Sequence, residues 1–547
     1  MCKTRCASSL RWIMICLAAS AVLWPWFSAL PPADAAAART SPEAVTNKLP
    51  ISLVQSVLLA LQNNMDIKVE RLSPLIRQEE VRREAGAFFS PRMGFDVSTD
   101  RSLRVTGSVL AGAQVLETEN LDVNTGISMR SHTGGIVSLD FRNKRFETNS
   151  AFQLFDPQYT AELALTLTHP LLKNFGIGVN EVRIKVARNN RDISHYQLKM
   201  MVMNLVVDVQ QTYWDLVFAG HDLATRRHSL DVAQHLHKRT VELVSKGRLP
   251  AIALLQAQTA VLEREIDLVG GEHAFEDVQS RLKALLNIEQ VAAPAEFLLV
   301  PTDVPLVEPS MVSIEEGMRS ALAKRPELFQ AKLDQENRML GVQFARNQQL
   351  PELNFIGSVG LSGLSGAPTS NPFAMTAIGG VPVSSLLPGA QDTSAFEGGY
   401  GEALGKLASG DFVSYKVGLS VQIPLGNQLA RSEVAKSRLE MEKSRMILQS
   451  LEQKIALEVE RVARGIDSRG RTIEGARSLR DLTARKLAMA QEGLDLGVAS
   501  VTDVIEAQKN LNLAQRDELR AVIEYNKALI QWEKTTGTVL ERFHIEL

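Results

Sequence analysis

The stretch Gly497-Val-Ala-Ser-Val-Thr-Asp-Val-Ile-Glu-Ala-Gln508 has an echo at Gly247-Arg-Leu-Pro-Ala-Ile-Ala-Leu-Leu-Gln-Ala-Gln258, 250 positions earlier. Both read as a tight turn between two long helices. Gly supplies the left-handed backbone that ends one helix, and Ser500 or Pro250 opens the next. The same offset pairs Tyr525 with Phe275, Trp532 with Leu282 and Gly537 with Asn287. Slightly larger offsets pair Pro351 with Pro91, Pro424 with Pro170 and Ser313 with Ser52. The chain is two copies of one unit of roughly 250 residues, far longer than the ~20–50 of a solenoid repeat.

Each copy follows one programme. After a signal segment at 1–35, the first repeat spans 36–300 and the second 301–547, with Pro294, Pro301, Pro305 and Pro309 marking the linker. In the first, Ser52-Leu-Val-Gln55 reads as a capping box opening a helix, and a second helix runs from about Asp66 to Phe88. A strand is expected near 91–103, where Met93, Phe95 and Val97 alternate with Gly94, Asp96 and Ser98. Residues 104–158 read as a long polar excursion rich in Gly, Asn and Thr. A second strand, near 159–170, alternates Ala161, Leu163, Leu165 and Leu167 with polar or small neighbours. Helical periodicity then spans 180–287 as a hairpin about the Gly247 turn. Its first arm is about 100 Å long at ~1.5 Å per residue. Leu198, Val202, Leu205, Val209, Tyr213 and Leu216 form a coiled-coil seam. The second repeat gives strands near 351–361 and 412–424, a Gly/Ser/Pro-rich loop between them, and a hairpin at 429–536 about the Gly497 turn.

Composition agrees with long helices rather than a broad core: of 547 residues only 5% are aromatic. A net charge of −2 gives no case for a nucleic-acid partner. Lys3, Arg5 and Arg11 precede an apolar run from Trp12 to about Leu30, followed by Ala33-Asp34-Ala35, the pattern of a secretory signal peptide. All three cysteines, Cys2, Cys6 and Cys16, lie in that segment. No later stretch reaches the ~18 continuous apolar residues of a membrane helix, so any crossing must use strands.

Four alternating strands of about ten residues suit a barrel wall with one face in lipid and one in water. Four cannot close a barrel, and open edges in hydrocarbon are forbidden by unsatisfied backbone groups. Sister chains must complete the wall, and a pore is the product. The rival reading from the hairpins alone, a soluble periplasmic coiled-coil adaptor, leaves the lipid-type alternation unexplained. An exported hydrolase would need a nucleophile and base; no catalytic constellation, cofactor motif or metal set is found, so the chain reads as a non-enzyme.

The residues Ala60-Leu-Gln-Asn-Asn64, Leu167-Thr-His-Pro-Leu-Leu-Lys-Asn-Phe-Gly176, Arg325-Pro-Glu-Leu328, Val421-Gln-Ile-Pro-Leu-Gly426 and the Gly497–Gln508 turn, in that order and duplicated, carry a resemblance. The sequence resembles the TolC-like outer membrane efflux family along nearly all of the chain after residue 35. The resemblance implies a mainly α fold with a transmembrane β-barrel, in which a homotrimer builds a 12-stranded barrel continued by a periplasmic α-helical barrel. It implies an exit duct of a tripartite efflux or type I secretion system, set in outer-membrane lipid. Its partners would be a periplasmic adaptor and an inner-membrane transporter.

Candidate functional residues sit at the hairpin ends. Asp503 and Glu506, at i and i+3, share a helix face just after the turn. By the resemblance they line a periplasmic constriction, where three copies would form an acidic, cation-selective ring. Asp503 also completes a capping box with Ser500. The turns themselves, Gly247, Arg248 and Leu249 with Gly497, Val498 and Ala499, are candidate adaptor contacts; Leu249 and Val498 are expected to be exposed there. Family members with a locked tip use an Arg and a Tyr at places held here by Ala499 and Leu494, and Ala253 replaces the first-repeat acid. His221, His228 and His235 recur every seven residues, about 10.5 Å apart, too far to share a metal. Met200, Met201 and Met203 read as seam packing. Gly357, Gly360, Gly363 and Gly366 read as a strand end entering an extracellular loop.

Overall fold

The computed structural model describes residues 47–107, 111–150, 153–288, 297–306, 312–369, 377–378, 381–382 and 394–545. The expected signal segment, Pro294 and Pro309 lie outside the described residues.

The first half runs β1 (Asn47–Ile51), α1 (Leu53–Asn63), α2 (Met65–Glu70), α3 (Leu72–Phe89), β2 (Arg92–Val105), β3 (Val115–Arg130), β4 (Ile136–Thr148), β5 (Phe155–Pro170), α4 (Ile177–Asn180), α5 (Val182–Ser245) and α6 (Ile252–Leu286). The second runs β6 (Phe297–Pro301), α7 (Ile314–Lys324), α8 (Pro326–Gln348), β7 (Glu352–Pro368), α9 (Tyr400–Ser409), β8 (Val413–Gln422), α10 (Gln428–Asp495), α11 (Val501–Thr536) and α12 (Val539–Arg542).

The Ser52 capping box forms: Gln55 N–H donates to Ser52 Oγ at 3.2 Å, and Ser52 N–H to Gln55 Oε1 at 3.1 Å. Asn64 then ends α1 and caps α2, its Oδ1 accepting from Ile67 N–H at 3.2 Å. The helix expected over 66–88 is two, α2 and α3, with the break at Arg71. Pro74 has no N–H to give and so favours a helix that begins just before it.

The larger departure is in the sheet. Six strands pair antiparallel in the order β8-β7-β5-β4-β3-β2. Two of them, β3 and β4, occupy the stretch read from sequence as a polar excursion, so the first repeat supplies four strands and the second two. Their alternation escaped notice because one face is polar (Asp122, Asn124, Ser128, Ser138, Asp140, Arg142), which lowers the mean hydropathy of the segment to that of a loop. The Gly/Ser/Pro-rich loop after the third expected strand is also shorter: β7 continues to Pro368, and α9 folds back onto it. A Cβ at Gly363 would lie 2.0 Å from the Ala403 carbonyl oxygen of α9, so only glycine allows that approach.

Below the sheet the long helices stand side by side. Next to the strands the order is α3, α5, α8, α10; toward the far end it is α6, α5, α11, α10. The described core lies between, where α1, α5, α6 and α11 bury Val57, Val202, Val206, Leu216, Leu282 and Ile523. A belt joins the repeats here. β1 pairs in parallel with β6, and Gln279 donates to Leu299 O at 2.7 Å while its Oε1 accepts from Leu299 N–H at 3.1 Å. Fully buried Tyr213 holds the following residues. Its hydroxyl accepts from Thr302 and Asp303 N–H, both at 3.1 Å, and donates to Asp303 Oδ2 at 2.6 Å. That carboxylate in turn accepts from Leu53 N–H at 2.6 Å.

Candidate functional site

The two hairpin turns are built alike. α5 closes at Gly247, φ +70°, with Arg248 N–H donating to Leu243 O at 2.9 Å. α10 closes at Gly497, φ +78°, with Val498 N–H donating to Gly493 O at 2.9 Å. Each pattern satisfies carbonyls at a helix C-terminus and needs a residue that tolerates positive φ.

Ser500 caps α11 as the sequence indicated. Asp503 N–H donates to Ser500 Oγ at 3.2 Å, while Asp503 Oδ2 accepts from Ser500 N–H at 2.8 Å and from its hydroxyl at 2.7 Å. The Ser500 hydroxyl first, and its backbone N–H second, hold the Asp503 carboxyl below the usual range, so it stays anionic. Val501, Val504 and Ala507 turn inward to a small core with Ala253, Ala257, Leu487 and Leu494. Asp503 and Glu506 therefore share the exposed face of α11. Leu494 is buried in that core, which makes it a packing position.

The turn residues divide. Arg248, Gly497 and Val498 are exposed, Val498 at 81%. Leu249, expected to be exposed, is half-buried and packs against the tip core. Ala499 is also half-buried, close to Gly493. One ion pair at this level joins the two hairpins, Arg239 of α5 to Asp495 at the end of α10. Sequence reasoning missed it, since nothing local marks partners 256 positions apart. Farther up, Asp222 of α5 binds Arg226 Nε at 2.8 Å and lies 3.4 Å from Arg516 Nε of α11. His221, His228 and His235 are exposed along α5, and Met203 is buried in the core.

The sheet supplies the other half of the site. Following the pairing across all six strands, one row reads Tyr415, Val359, Leu165, Leu139, Ile127, Met93. All six are apolar, and they are 43–82% exposed. The next row on the same face is Val413, Leu361, Leu163, Phe141, Thr125, Phe95. The opposite face at that height reads Lys416, Ser358, Thr166, Ser138, Ser128, Arg92. A continuous apolar face backed by a polar one, left open in the Tyr415–Met93 row among the described residues, suits a strand wall between hydrocarbon and water. No described helix is long and apolar enough to cross a membrane.

Residues 317–538 match the family model described as outer membrane efflux protein. The match covers most of the second half of the chain and shows its similarity to that family. Sequence comparison with curated proteins finds no match. The fold of this chain is similar to that of several solved channels. Over 89% of this chain and 85% of the other it resembles the Campylobacter jejuni CmeC outer membrane channel, with a TM-score of 0.60 and 15% identity. Over 89% and 96% it resembles the Vibrio cholerae outer membrane protein VceC, with 0.59 and 13%. The outer-membrane channel OprN gives 0.62 and 13% over 89% and 90%. The likeness shows the fold these channels share with the chain: a wall of strands set on a long helical part.

Proposed function

We propose that three copies of this chain form a passive duct, energised by an inner-membrane transporter that a periplasmic adaptor docks onto the hairpin tips. The observation that carries this reading is that the chain is unfinished along the same two edges at every height. In the sheet the outer strands are β2, exposed throughout, and β8, exposed at every residue but Gly418, running antiparallel to one another. α3 leads into β2 and β8 leads into α10, so the helical edges continue the strand edges. Among the described residues, the edge helices carry exposed apolar side chains. On α6 they are Ile252, Leu255, Leu262, Ile266 and Val269, at coiled-coil spacing; on α10, Leu457, Leu479, Leu482 and Met489. A neighbouring copy presenting α10 to α6 and β8 to β2 satisfies both, and head-to-tail repetition of such a contact closes a ring. A soluble adaptor has no use for the exposed apolar row of the sheet.

In the ring, Asp503 and Glu506 of three chains give six carboxylates around the periplasmic mouth, favouring cations. Arg248, Gly497 and Val498, with Leu249 and Ala499 beneath them, make the surface offered to the adaptor. Detergent-extracted protein should run as a trimer that heating dissociates, and a monomer at all temperatures rejects the assembly. In single-channel recordings, Asp503→Asn with Glu506→Gln should lower the cation preference. Asn keeps an acceptor for the Ser500 cap, so unchanged selectivity dismisses the ring without ambiguity about folding.

A further inference from the structure

We propose that the β3–β4 hairpin is part of the membrane wall, so that each chain gives six staves and the trimer closes an eighteen-stranded barrel instead of twelve. The inference rests on the trimeric reading above, but its first support is independent of it. β3 and β4 lie in the middle of the sheet: β2 pairs with β3 over its whole length, Arg92 with Ser128 to Val105 with Val115, and not with β5. If the hairpin were an extramembrane flap, β2 would have to leave it and find another partner in hydrocarbon, where an unpaired edge is not tolerated.

The faces also match in register. Leu121, Val123, Ile127 and Met129 of β3 and Val137, Leu139 and Phe141 of β4 fall on the side occupied by Leu163, Leu165 and Leu167 of β5. Asp122, Asn124, Asp140 and Arg142 fall on the polar side with Glu162. A one-residue slip would reverse this, so the pattern and the pairing support each other.

The two ends of the hairpin differ as the ends of a spanning hairpin do. The β3–β4 turn, residues 131–135, is short and lies at the helical end. Ser131 N–H donates to Gly135 O at 2.7 Å, and Gly176 N–H donates to Thr133 O at 3.0 Å. Thr133 Oγ1 is 2.9 Å from His169 Nε2, and His132 Nδ1 is 2.7 Å from Glu181 Oε1. A Cβ at Gly134, φ +99°, would stand 2.3 Å from Asn174 O, so the turn is seated tightly on the chain entering α5. Short turns on the periplasmic side and longer loops outside are the rule for such walls.

Barrel diameter grows roughly linearly with strand number, so eighteen staves give a backbone cylinder about 1.5 times as wide as twelve. With strands ~4.8 Å apart and tilted ~40°, that is about 36 Å against about 24 Å. The outer mouth would pass or hold a bulkier cargo than the helical tunnel beneath it.

The test uses full-length protein in lipid, with single cysteines on a Cys-free background carrying a nitroxide. At Val123, Ile127 and Leu139 the label should collide with oxygen more than with an aqueous nickel chelate, and at Asp122, Ser128 and Asp140 the reverse. Leu165 and Val417 against Thr166 and Lys416 are the controls. Alternation in the controls but aqueous access at all six hairpin sites overturns this inference and leaves the duct standing; no alternation anywhere removes both. Separately, Val97→Cys with Val123→Cys should form an intrachain disulfide in native membranes. Free thiols there, in protein that still forms trimers, show that β2 does not lie against β3.

Discussion

Tyr213→Phe tests the belt that binds the two repeats. The ring would still fill its fully buried site, so only the oxygen is lost. That oxygen accepts from Thr302 and Asp303 N–H at 3.1 Å and donates to Asp303 Oδ2 at 2.6 Å. Asp303 keeps its bond from Leu53 N–H, which limits the damage to its carboxylate. Asp303 N–H loses its acceptor, at about 1–3 kcal/mol for a buried group left without a partner, whereas Thr302 N–H keeps Ile51 O at 3.1 Å. A loss of about 1–3 kcal/mol in the local stability of residues 297–306 is expected, and at ~1.4 kcal/mol per tenfold this is roughly 5- to 140-fold. Hydrogen exchange read by mass spectrometry should show amides of that segment exchanging faster by this factor, with the 497–508 tip unchanged as a control. Protection within about threefold of wild type would refute the claim that this hydroxyl holds the linker. A pH signature accompanies it. Burial first, and the bond to Asp303 second, push the Tyr213 hydroxyl up to about 12. The folded value lies above the unfolded one of ~10, so the folded state holds the proton more tightly. Stability from this group is complete below about pH 10 and is lost as the pH rises toward 12; Tyr213→Phe abolishes that fall.

Gly317→Ala should destabilise the second repeat by about 1–3 kcal/mol, since its Cβ would meet Trp532 Cη2 at 2.2 Å. Adding Trp532→Leu should recover part of the loss, as the first repeat holds Ser56 and Leu282 at the corresponding positions; thermal melts of the four-variant cycle would show no coupling if the two do not press together. Ser500→Ala should cost the start of α11 about 1 kcal/mol and raise exchange at Val501–Val504; unchanged exchange would mean the cap is idle. Because Asp503 sits below its unfolded value, the cap's contribution is present above ordinary carboxylate pH and fades as pH falls through the folded value. Ser500→Ala should flatten that dependence in acid titrations of the same exchange rates. Arg239→Ala should change stability by less than about 1 kcal/mol, both partners being half exposed; a larger loss would show that the pair organises the tip.

Duplication, the two Gly turns, the caps at Ser52 and Ser500 and the coiled-coil seam of α5 were all legible in the sequence, because each is a local rule of spacing or backbone permission. So was the apolar alternation of β5 and β8, whose apolar faces run unbroken. At the tip, Asp503 and Glu506 were legible as one exposed face of α11, while Arg239–Asp495 was not, its partners lying in different repeats. The inserted pair β3–β4 was hidden for a different reason. A strand with one watery face has the composition of a loop, and its apolar residues align only when the neighbours set the register. Leu249 likewise became a packing residue only when four helices met at the tip. Periodicity along one chain therefore determined which pieces this protein has. Which pieces stand side by side, and so how many staves the wall has and where its edges lie open, was decided by pairing over long distances, because hydrogen bonds and close packing reward neighbours in space that local spacing does not name.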